Sequence, residues 1–159
     1  FLATGLIAWA DNRERRTFPR SLKLAALART LKAPPLFGDP SGDLLIIGWG
    51  STKGAIEEAV ELMRAEGCKV SSMHLRFLQP LPPGIGEAMK RFKQVMTIEG
   101  NWSDRPEDEI IDENNRRYSA LAILLRSRYL VDVDCWSEVK GQSIKPSVIR
   151  QVLAEKLPV

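Results

Sequence analysis

The sequence is poor in the residues that build metal sites and catalytic triads. It has one histidine and two cysteines among 159 residues. The lone His74 argues against a Ser-His-Asp triad or a zinc site. Cys68 and Cys135 form no Cys-x-x-Cys pair, which argues against an iron–sulfur cluster held by this chain alone. We therefore predict no metal ligands, and two reduced thiols rather than a disulfide, as in a cytoplasmic protein.

Long apolar runs and a strong charge imbalance are missing as well. No apolar run approaches the ~20 residues of a membrane span, and the first residues lack a signal-peptide pattern. The net charge is only +3, from 23 basic and 20 acidic residues. A nucleic-acid footprint is usually a larger basic stripe. We expect neither a membrane nor a nucleic acid as partner, and the start at Phe1 indicates a fragment of a longer polypeptide.

The most informative stretch that is present predicts a strand, a turn and a helix. The short, β-branched run of residues 44–47 is typical of a strand buried on both faces of a parallel sheet. Gly48 and Gly50 permit a tight turn, and Ser51 or Thr52 is expected to accept a hydrogen bond from the first free helix amides. An apolar helix stripe follows at Ile56, Ala59, Val60 and Met63.

The remaining segments continue this alternation. Further strands are predicted at residues 69–75, 94–98 and 130–136, with an edge strand near Leu36 and Phe37. Helices are predicted at residues 54–66, at 85–92, around 121–128 and after Pro146. Strands that alternate with helices predict a three-layer α/β/α fold. Its sheet should be mostly parallel and about five-stranded, with one antiparallel edge strand.

Residues 1–40 have a different composition from the rest. Residues 11–20 are densely charged, residues 22–31 indicate a short helix, and Pro34-Pro35 forbids its continuation. We interpret residues 1–40 as a connecting arm or linker and residues 41–159 as the α/β domain.

Several motifs in order resemble one enzyme family. Gly48-Trp-Gly-Ser-Thr-Lys-Gly54 resembles the turn that opens the C-terminal domain of 2-oxoacid:ferredoxin oxidoreductase alpha subunits, a domain similar to the transketolase C-terminal domain. His74-Leu-Arg followed by Pro80-Leu-Pro82, Ile98-Glu-Gly-Asn101 and Lys145-Pro146 resemble later landmarks. Ser119-Ala120 departs from the Tyr-x-Gln-Leu-Ala pattern of many relatives. The resemblance covers nearly the whole chain.

The resemblance implies a part of a larger enzyme. The family oxidatively decarboxylates 2-oxoacids such as 2-oxoglutarate or pyruvate with coenzyme A, and it passes electrons to ferredoxin or flavodoxin. Thiamine diphosphate, Mg²⁺ and iron–sulfur clusters belong to the whole complex, and none is expected in this fragment. The arm would lead from a missing N-terminal thiamine-pyrimidine domain. That domain and the thiamine-binding beta subunit are the implied partners. The fragment would support assembly, carry no catalytic residue and be inactive alone.

Two places are candidate ligand or subunit contacts. Gly50, Ser51 and Thr52 precede a helix and can hold an anion, with Lys53 adding positive charge, although an ordinary helix cap explains them too. Glu99 and Asn101 follow a strand at the sheet edge where ligand sites gather. The alternative for this second pair is loop capping by polar side chains.

Two other functions remain open from the sequence. One is a stand-alone module that binds a nucleotide or coenzyme A at the Gly50–Thr52 turn. The other is an interaction domain without a small ligand. Trp49, Trp102 and Trp136 fall near predicted strand ends, and they would mark an interface if exposed or belong to the core if buried.

Overall fold

The computed structural model describes residues 2–157, with side chains from residue 13 onward. The chain divides into two compact units. The first contains the residues up to Ala33 together with Phe77–Pro83, and the second contains Pro34–Arg76 and the residues from Gly84 onward.

The first unit is dominated by one helix, α1, at Leu2–Thr30. The predicted short helix at residues 22–31 is therefore only the end of a much longer one. Residues 11–20 belong to it because arginine and glutamate are strong helix formers, and their propensity outweighs the single Pro19 inside the helix. The helix ends before Pro34, as predicted. Residues 77–83 contain a cis peptide bond between Gln79 and Pro80.

The second unit contains a five-stranded sheet. Its strands are β1 Leu36–Phe37, β2 Gly42–Trp49, β3 Val70–Leu75, β4 Phe92–Glu99 and β5 Asp134–Ser137. The order across the sheet is β1-β3-β2-β4-β5. The β1–β3 pair is antiparallel and the other pairs are parallel. The predicted fold, including the antiparallel edge strand, is confirmed.

Four helices of this unit lie on both sides of the sheet: α2 Lys53–Ala65, α3 Ile85–Met89, α4 Ala120–Tyr129 and α5 Pro146–Lys156. A 3-10 turn at Gly50–Thr52 joins β2 to α2. Pro146 occupies the first helical turn of α5, as predicted. Gly67, which follows α2, has the predicted left-handed conformation with a φ of 93°.

The core forms around the central strand β2. Residues 44–47 are at most 1% exposed, which matches a strand covered on both faces. Leu44 and Ile46 pack in one cluster with residues of α2 and α5, among them Val60 and Ile149. On α3, a Cβ added at Gly86 would lie 2.8 Å from Cδ1 of Tyr129 in α4, so these two helices approach closely.

Two predicted elements are shorter in the structure. The strand predicted at residues 130–136 begins only at Asp134, because Leu130 ends α4 in the left-handed region with a φ of 54°. The Arg126 guanidinium binds the Asp132 carboxylate and the Val133 carbonyl, and so holds this connection as a turn. The helix predicted at residues 85–92 ends at Met89, and Phe92 already belongs to β4.

The two cysteines are free thiols, Cys68 half-buried and Cys135 buried. Cys68 precedes β3 and Cys135 lies in β5. Two strands separate β3 from β5, a distance of about 14 Å across the sheet. This is beyond the reach of a disulfide. Among residues 2–157, no helix is both long and apolar enough to cross a lipid bilayer.

Candidate functional site

The candidate site lies where two adjacent parallel strands end. β2 and β4 pair in parallel at the centre of the sheet. From β2 the chain continues to β3 on one side, and from β4 it continues to β5 on the other. Such a topological switch point opens a crevice at the carboxyl ends of the strands, where open α/β sheets bind ligands.

A cleft of about 320 Å³ occupies this position. It is lined by the turn after β2 (residues 49–52), by Gly100 and Asn101 after β4, and by residues 142–144 before α5. The structure thus brings Gly50, Ser51 and Thr52 together with Asn101. Lys53 and Glu99 are not among the described lining residues, and none of those lining residues is charged.

Glu99 lies beside this cleft with its side chain in the interior. The residue is 0% exposed. Its Oε2 accepts hydrogen bonds from Trp49 Nε1 at 3.3 Å, from Asn101 Nδ2 at 2.9 Å and from the Leu121 amide at 3.0 Å. Its Oε1 accepts from Thr97 Oγ1 at 2.9 Å, from the Ala122 amide at 3.3 Å and from the Ser119 hydroxyl. These donors offset the cost of burying a carboxylate.

Glu99 therefore takes the place of a local helix cap. Ser119 precedes α4 but makes no side-chain capping bond to it. The free amides of Leu121 and Ala122 bind the Glu99 carboxylate instead. A negative charge at this end of a helix also interacts favourably with the helix dipole. The contacts of Glu99 are thus internal ones, whereas Asn101 also lines the cleft.

The predicted cap at Ser51 or Thr52 is wrong. Neither side chain caps α2. The chain enters the helix through a 3-10 turn, so Thr52 already has helical dihedral angles, and its hydroxyl donates to the Trp49 carbonyl at 2.9 Å. Gly48 and Gly50 are needed for the chain path at the end of β2. Gly50 has a φ of 63°, and a Cβ at Gly48 would collide with Ile56 and Thr52.

Lys53 and His74 contribute little to the cleft. The Lys53 ammonium pairs with Glu57 at 3.6 Å within α2. His74 lies in β3 opposite Gly48 of β2, and its Nδ1 is buried without a hydrogen-bond partner among the described residues. Burial lowers the pKa of His74, and the positive charge of Lys53 lowers it further. A neutral imidazole of this kind is a structural side chain within the sheet.

Of the three tryptophans that fall near the predicted strand ends, two are exposed. Trp49 is 37% exposed and Trp102 is 63% exposed, whereas Trp136 is partly buried against the core. Each exposed indole donates its N–H to a buried carboxylate, Trp49 to Glu99 and Trp102 to Asp104 at 3.1 Å. The rings are therefore fixed in orientation while part of their surface stays accessible.

Asp104, which does not line the cleft, is a buried carboxylate that sequence reasoning did not single out. It is only 6% exposed, and the Arg117 guanidinium grips both of its oxygens, at 2.8 Å from Nη2 to Oδ1 and 3.0 Å from Nε to Oδ2. The side-chain hydrogen bond from Arg117 is the main reason that the pKa of Asp104 lies far below its usual range. The sequence did contain a signal for this ion pair, because the polar segment at residues 101–117 has an acidic residue near its start and arginines at its end.

A polar segment at residues 101–117 lies between β4 and α4. Residues 105–110 are exposed, but both ends of the segment are anchored. The hydroxyls of Ser103 and Ser137 lie 2.7 Å apart. Arg116 binds the Asp134 carboxylate at 2.8 Å and the Cys135 carbonyl at 3.1 Å. The segment is therefore held against β5 at both ends.

In the part of the chain with described side chains, no three histidine, cysteine or acidic residues come together in a way that could hold a metal ion. Cys68 and Cys135 are separated by the sheet, so they cannot ligate one cluster. The residues present therefore do not fit an iron–sulfur cluster or a metal centre.

Comparisons with known proteins agree with the resemblance in the sequence. The family model for the pyruvate:ferredoxin oxidoreductase core domain II matches residues 42–147. The chain is 39% identical over 125 residues to 2-oxoglutarate oxidoreductase subunit KorA of Mycobacterium tuberculosis, a match to 75% of this chain and 17% of that protein. It is 38% identical over 69 residues to 2-oxoacid:ferredoxin oxidoreductase 1, subunit alpha, of Aeropyrum pernix, which covers 42% of this chain and 11% of the relative.

A solved structure has the same fold. It is the 2-oxoglutarate:ferredoxin oxidoreductase from Magnetococcus marinus with 2-oxoglutarate, coenzyme A and succinyl-CoA bound. The TM-score is 0.71 with 24% sequence identity, over 92% of this chain and 23% of that chain. The chain thus spans less than a quarter of the length of each of these relatives. Because the family match extends from β2 into the start of α5 and covers more than half of the sequence, the chain belongs to the family of the pyruvate:ferredoxin oxidoreductase core domain II.

Proposed function

We propose that this chain is a domain of the alpha subunit of a 2-oxoacid:ferredoxin or flavodoxin oxidoreductase. In the whole enzyme, a 2-oxoacid such as 2-oxoglutarate or pyruvate loses carbon dioxide. Its acyl group forms a thioester with coenzyme A, and the electrons pass to the acceptor protein. The family match over residues 42–147 is the observation that carries this proposal.

The domain's own part in this reaction is assembly, not chemistry. The cofactors of the complex are thiamine diphosphate, Mg²⁺ and iron–sulfur clusters, and the described residues of this chain do not fit the metal or the clusters. Its partners are the thiamine-binding beta subunit, the N-terminal alpha domain and, for the complex, ferredoxin or flavodoxin. We place the complex in the cytoplasm, in keeping with two thiols that cannot pair.

Within the alpha subunit, residues 1–40 form the connection from the N-terminal thiamine-pyrimidine domain, and residues 41–159 form the transketolase-like domain. The separation of α1 from the sheet-containing unit supports this division. The unit boundary after Ala33 lies close to the proposed boundary at residue 40.

The cleft at the ends of β2 and β4 is the proposed place of contact with a ligand or a subunit. Gly50, Ser51, Thr52 and Asn101 line it, while Lys53 and Glu99 lie next to lining residues in the chain. Its position at the topological switch point supports this proposal.

Anaerobic co-expression of the intact alpha subunit with its thiamine-binding partner tests the proposed function. Viologen reduction is measured with a panel of 2-oxoacids, with and without coenzyme A. We expect reduction that depends on coenzyme A and on one 2-oxoacid, and none from the isolated 159-residue chain. A folded, cofactor-loaded complex that reduces viologen with none of the 2-oxoacids would contradict the proposal.

A further inference from the structure

The two edges of the sheet differ in what they offer to another strand. β1 has only two residues and follows Pro34-Pro35, which donate no backbone N–H. A very short edge strand beside prolines is a poor template for pairing. β5 has four residues and pairs with β4 on one side. It is therefore the edge that needs protection, because an open edge invites pairing with a strand of another chain.

Cys135, in β5, points its backbone groups away from the sheet. After β5, Glu138 donates its N–H to the Glu99 carbonyl of β4 at 3.2 Å. Backbone groups along an extended strand face its two sides in alternation, so those of Trp136 also face β4 while those of Cys135 and Ser137 face outward. The outward groups of Cys135 are the ones that an added strand would bind.

Side chains already bind both backbone groups of Cys135. Its carbonyl accepts from Arg116 Nη2 at 3.1 Å, and its N–H donates to Asp134 Oδ1 at 2.8 Å. The same carboxylate oxygen of Asp134 lies 2.8 Å from Arg116 Nη2. The three contacts close on themselves, so neither outward group of Cys135 is left for another strand.

The polar segment at residues 101–117 holds this arrangement in place. The Arg116 side chain is only 12% exposed, and its guanidinium stacks on the Tyr118 ring, with 4.6 Å from Cζ to the ring centroid. At the other end of β5, the hydroxyl of Ser103 lies 2.7 Å from that of Ser137. The segment thus contacts both residues of β5 whose backbone groups face outward.

We propose that Arg116, together with Asp134, closes the outer edge of β5 against pairing with a second copy of this chain. Two open β5 edges would be identical, and identical edges can pair about a twofold axis. With the edge closed, the domain meets its neighbours through side chains and not by extension of its sheet at β5. This role is independent of the proposed function, because it follows from the sheet alone.

The test opens the edge in the intact polypeptide that contains these 159 residues. Arg116→Met keeps an unbranched side chain against Tyr118 but binds neither the carbonyl nor the carboxylate. Arg126→Met is the matched control. Arg126 stacks on the same ring at 4.4 Å and pairs with Asp132, but the backbone carbonyl that it binds belongs to Val133, which precedes β5.

A second pair of variants opens the N–H of Cys135 instead of its carbonyl. Asp134→Ala removes the acceptor of this N–H. Asp132→Ala, which removes the carboxylate paired with Arg126, is its control. Thermal unfolding of all four variants sets a temperature at which they are folded. At this temperature sedimentation velocity gives the mass of each, and hydrogen exchange reports the amides of residues 134–137.

We expect Arg116→Met and Asp134→Ala to form species of about two copies or more, at a concentration where the wild type and both controls do not self-associate. Amide exchange at residues 134–137 should be slower in these species than in the controls. Folded variants that keep the wild-type mass overturn the proposal. So does association without slower exchange at residues 134–137, or equal association of Arg126→Met, since either result places the contact elsewhere.

Discussion

The indole N–H of Trp49 donates to Oε2 of Glu99 at 3.3 Å, and so joins the ends of two adjacent strands, β2 and β4. The same carboxylate also binds the first amides of α4. One buried side chain thus connects the central strands, a helix start and the wall of the cleft. The stability of this end of the sheet should depend on it.

Replacing Glu99 tests this arrangement. In Glu99→Ala, the Trp49, Leu121 and Ala122 donors lose their acceptor, and we expect the free energy of unfolding to fall by about 3 kcal/mol. Glu99→Gln should cost less. Its carbonyl can occupy the Oε2 position opposite three nitrogen donors, while its amide donates to the Thr97 and Ser119 hydroxyls, which can reverse. Only the Ala122 amide, which donates to Oε1 in the wild type, then loses its acceptor. Urea unfolding of the chain measures both values, and equal losses for the two variants would contradict this account.

Backbone geometry at Gly50 gives a second prediction. A Cβ there would meet no atom within 4 Å, so the cost of a side chain comes from its φ of 63° and not from a clash. We expect Gly50→Val to destabilise the fold by about 1–2 kcal/mol, and Gly50→Asn to cost less because asparagine enters the left-handed region more easily. Thermal unfolding of the two variants compares them. A valine variant as stable as the asparagine variant would rule out this origin of the effect.

The Asp104–Arg117 pair predicts a pH dependence. Hydrogen bonds from Arg117 lower the pKa of Asp104 in the folded state, whereas the unfolded carboxyl titrates near ~3.9. The pair therefore stabilises the fold above about pH 4, and this contribution shrinks as the pH falls further and the unfolded state takes up the proton first.

Asp104→Asn should consequently lower the melting temperature at pH 7 more than at pH 3. The measurement is thermal unfolding of the wild type and the variant at both pH values. A variant whose deficit is the same at both pH values would show that the carboxylate charge of Asp104 does not stabilise the fold.

Tyr118 lies between two guanidinium groups. Its ring centroid is 4.6 Å from Arg116 Cζ and 4.4 Å from Arg126 Cζ. Cation–π contacts contribute about 0.5–1 kcal/mol each at accessible sites. Tyr118→Leu should therefore lower the free energy of unfolding by about 1–2 kcal/mol, while Tyr118→Phe, which keeps the aromatic face, should change it little. Urea unfolding measures both variants. An equal loss in the free energy of unfolding for the two would show that the hydroxyl, and not the aromatic face, is responsible.

The sequence predicted the features that depend on local pattern. A strand that is buried on both faces shows a continuous apolar run, as residues 44–47 do. An amphipathic helix shows apolar residues at a spacing of three and four, as α2 does. The start of α5 at Pro146 follows from the geometry of proline itself. The length of α1 was missed because dense charge and Pro19 were read as a connector, whereas helix propensity prevailed.

The arrangement at the cleft could be predicted only in part. That Gly50 and Asn101 meet follows from the parallel pairing of strands whose carboxyl ends share one edge. That Glu99 caps α4 does not follow, because its partners at Trp49, Ser119 and Leu121 lie far apart in the chain and meet only in the folded sheet. The Thr52 cap was wrong for a similar reason, since a 3-10 turn cannot be told from a helix start by residue type.

The most direct test of the central claim compares the intact alpha subunit with one that lacks residues 41–159, each co-expressed anaerobically with its thiamine-binding partner. Complex mass and coenzyme A-dependent viologen reduction are measured on both. The account predicts an assembled and active complex for the intact subunit, and loss of both assembly and activity for the shortened one. A shortened subunit that assembles and reduces viologen at the wild-type rate would contradict the claim that this domain supports assembly of the enzyme.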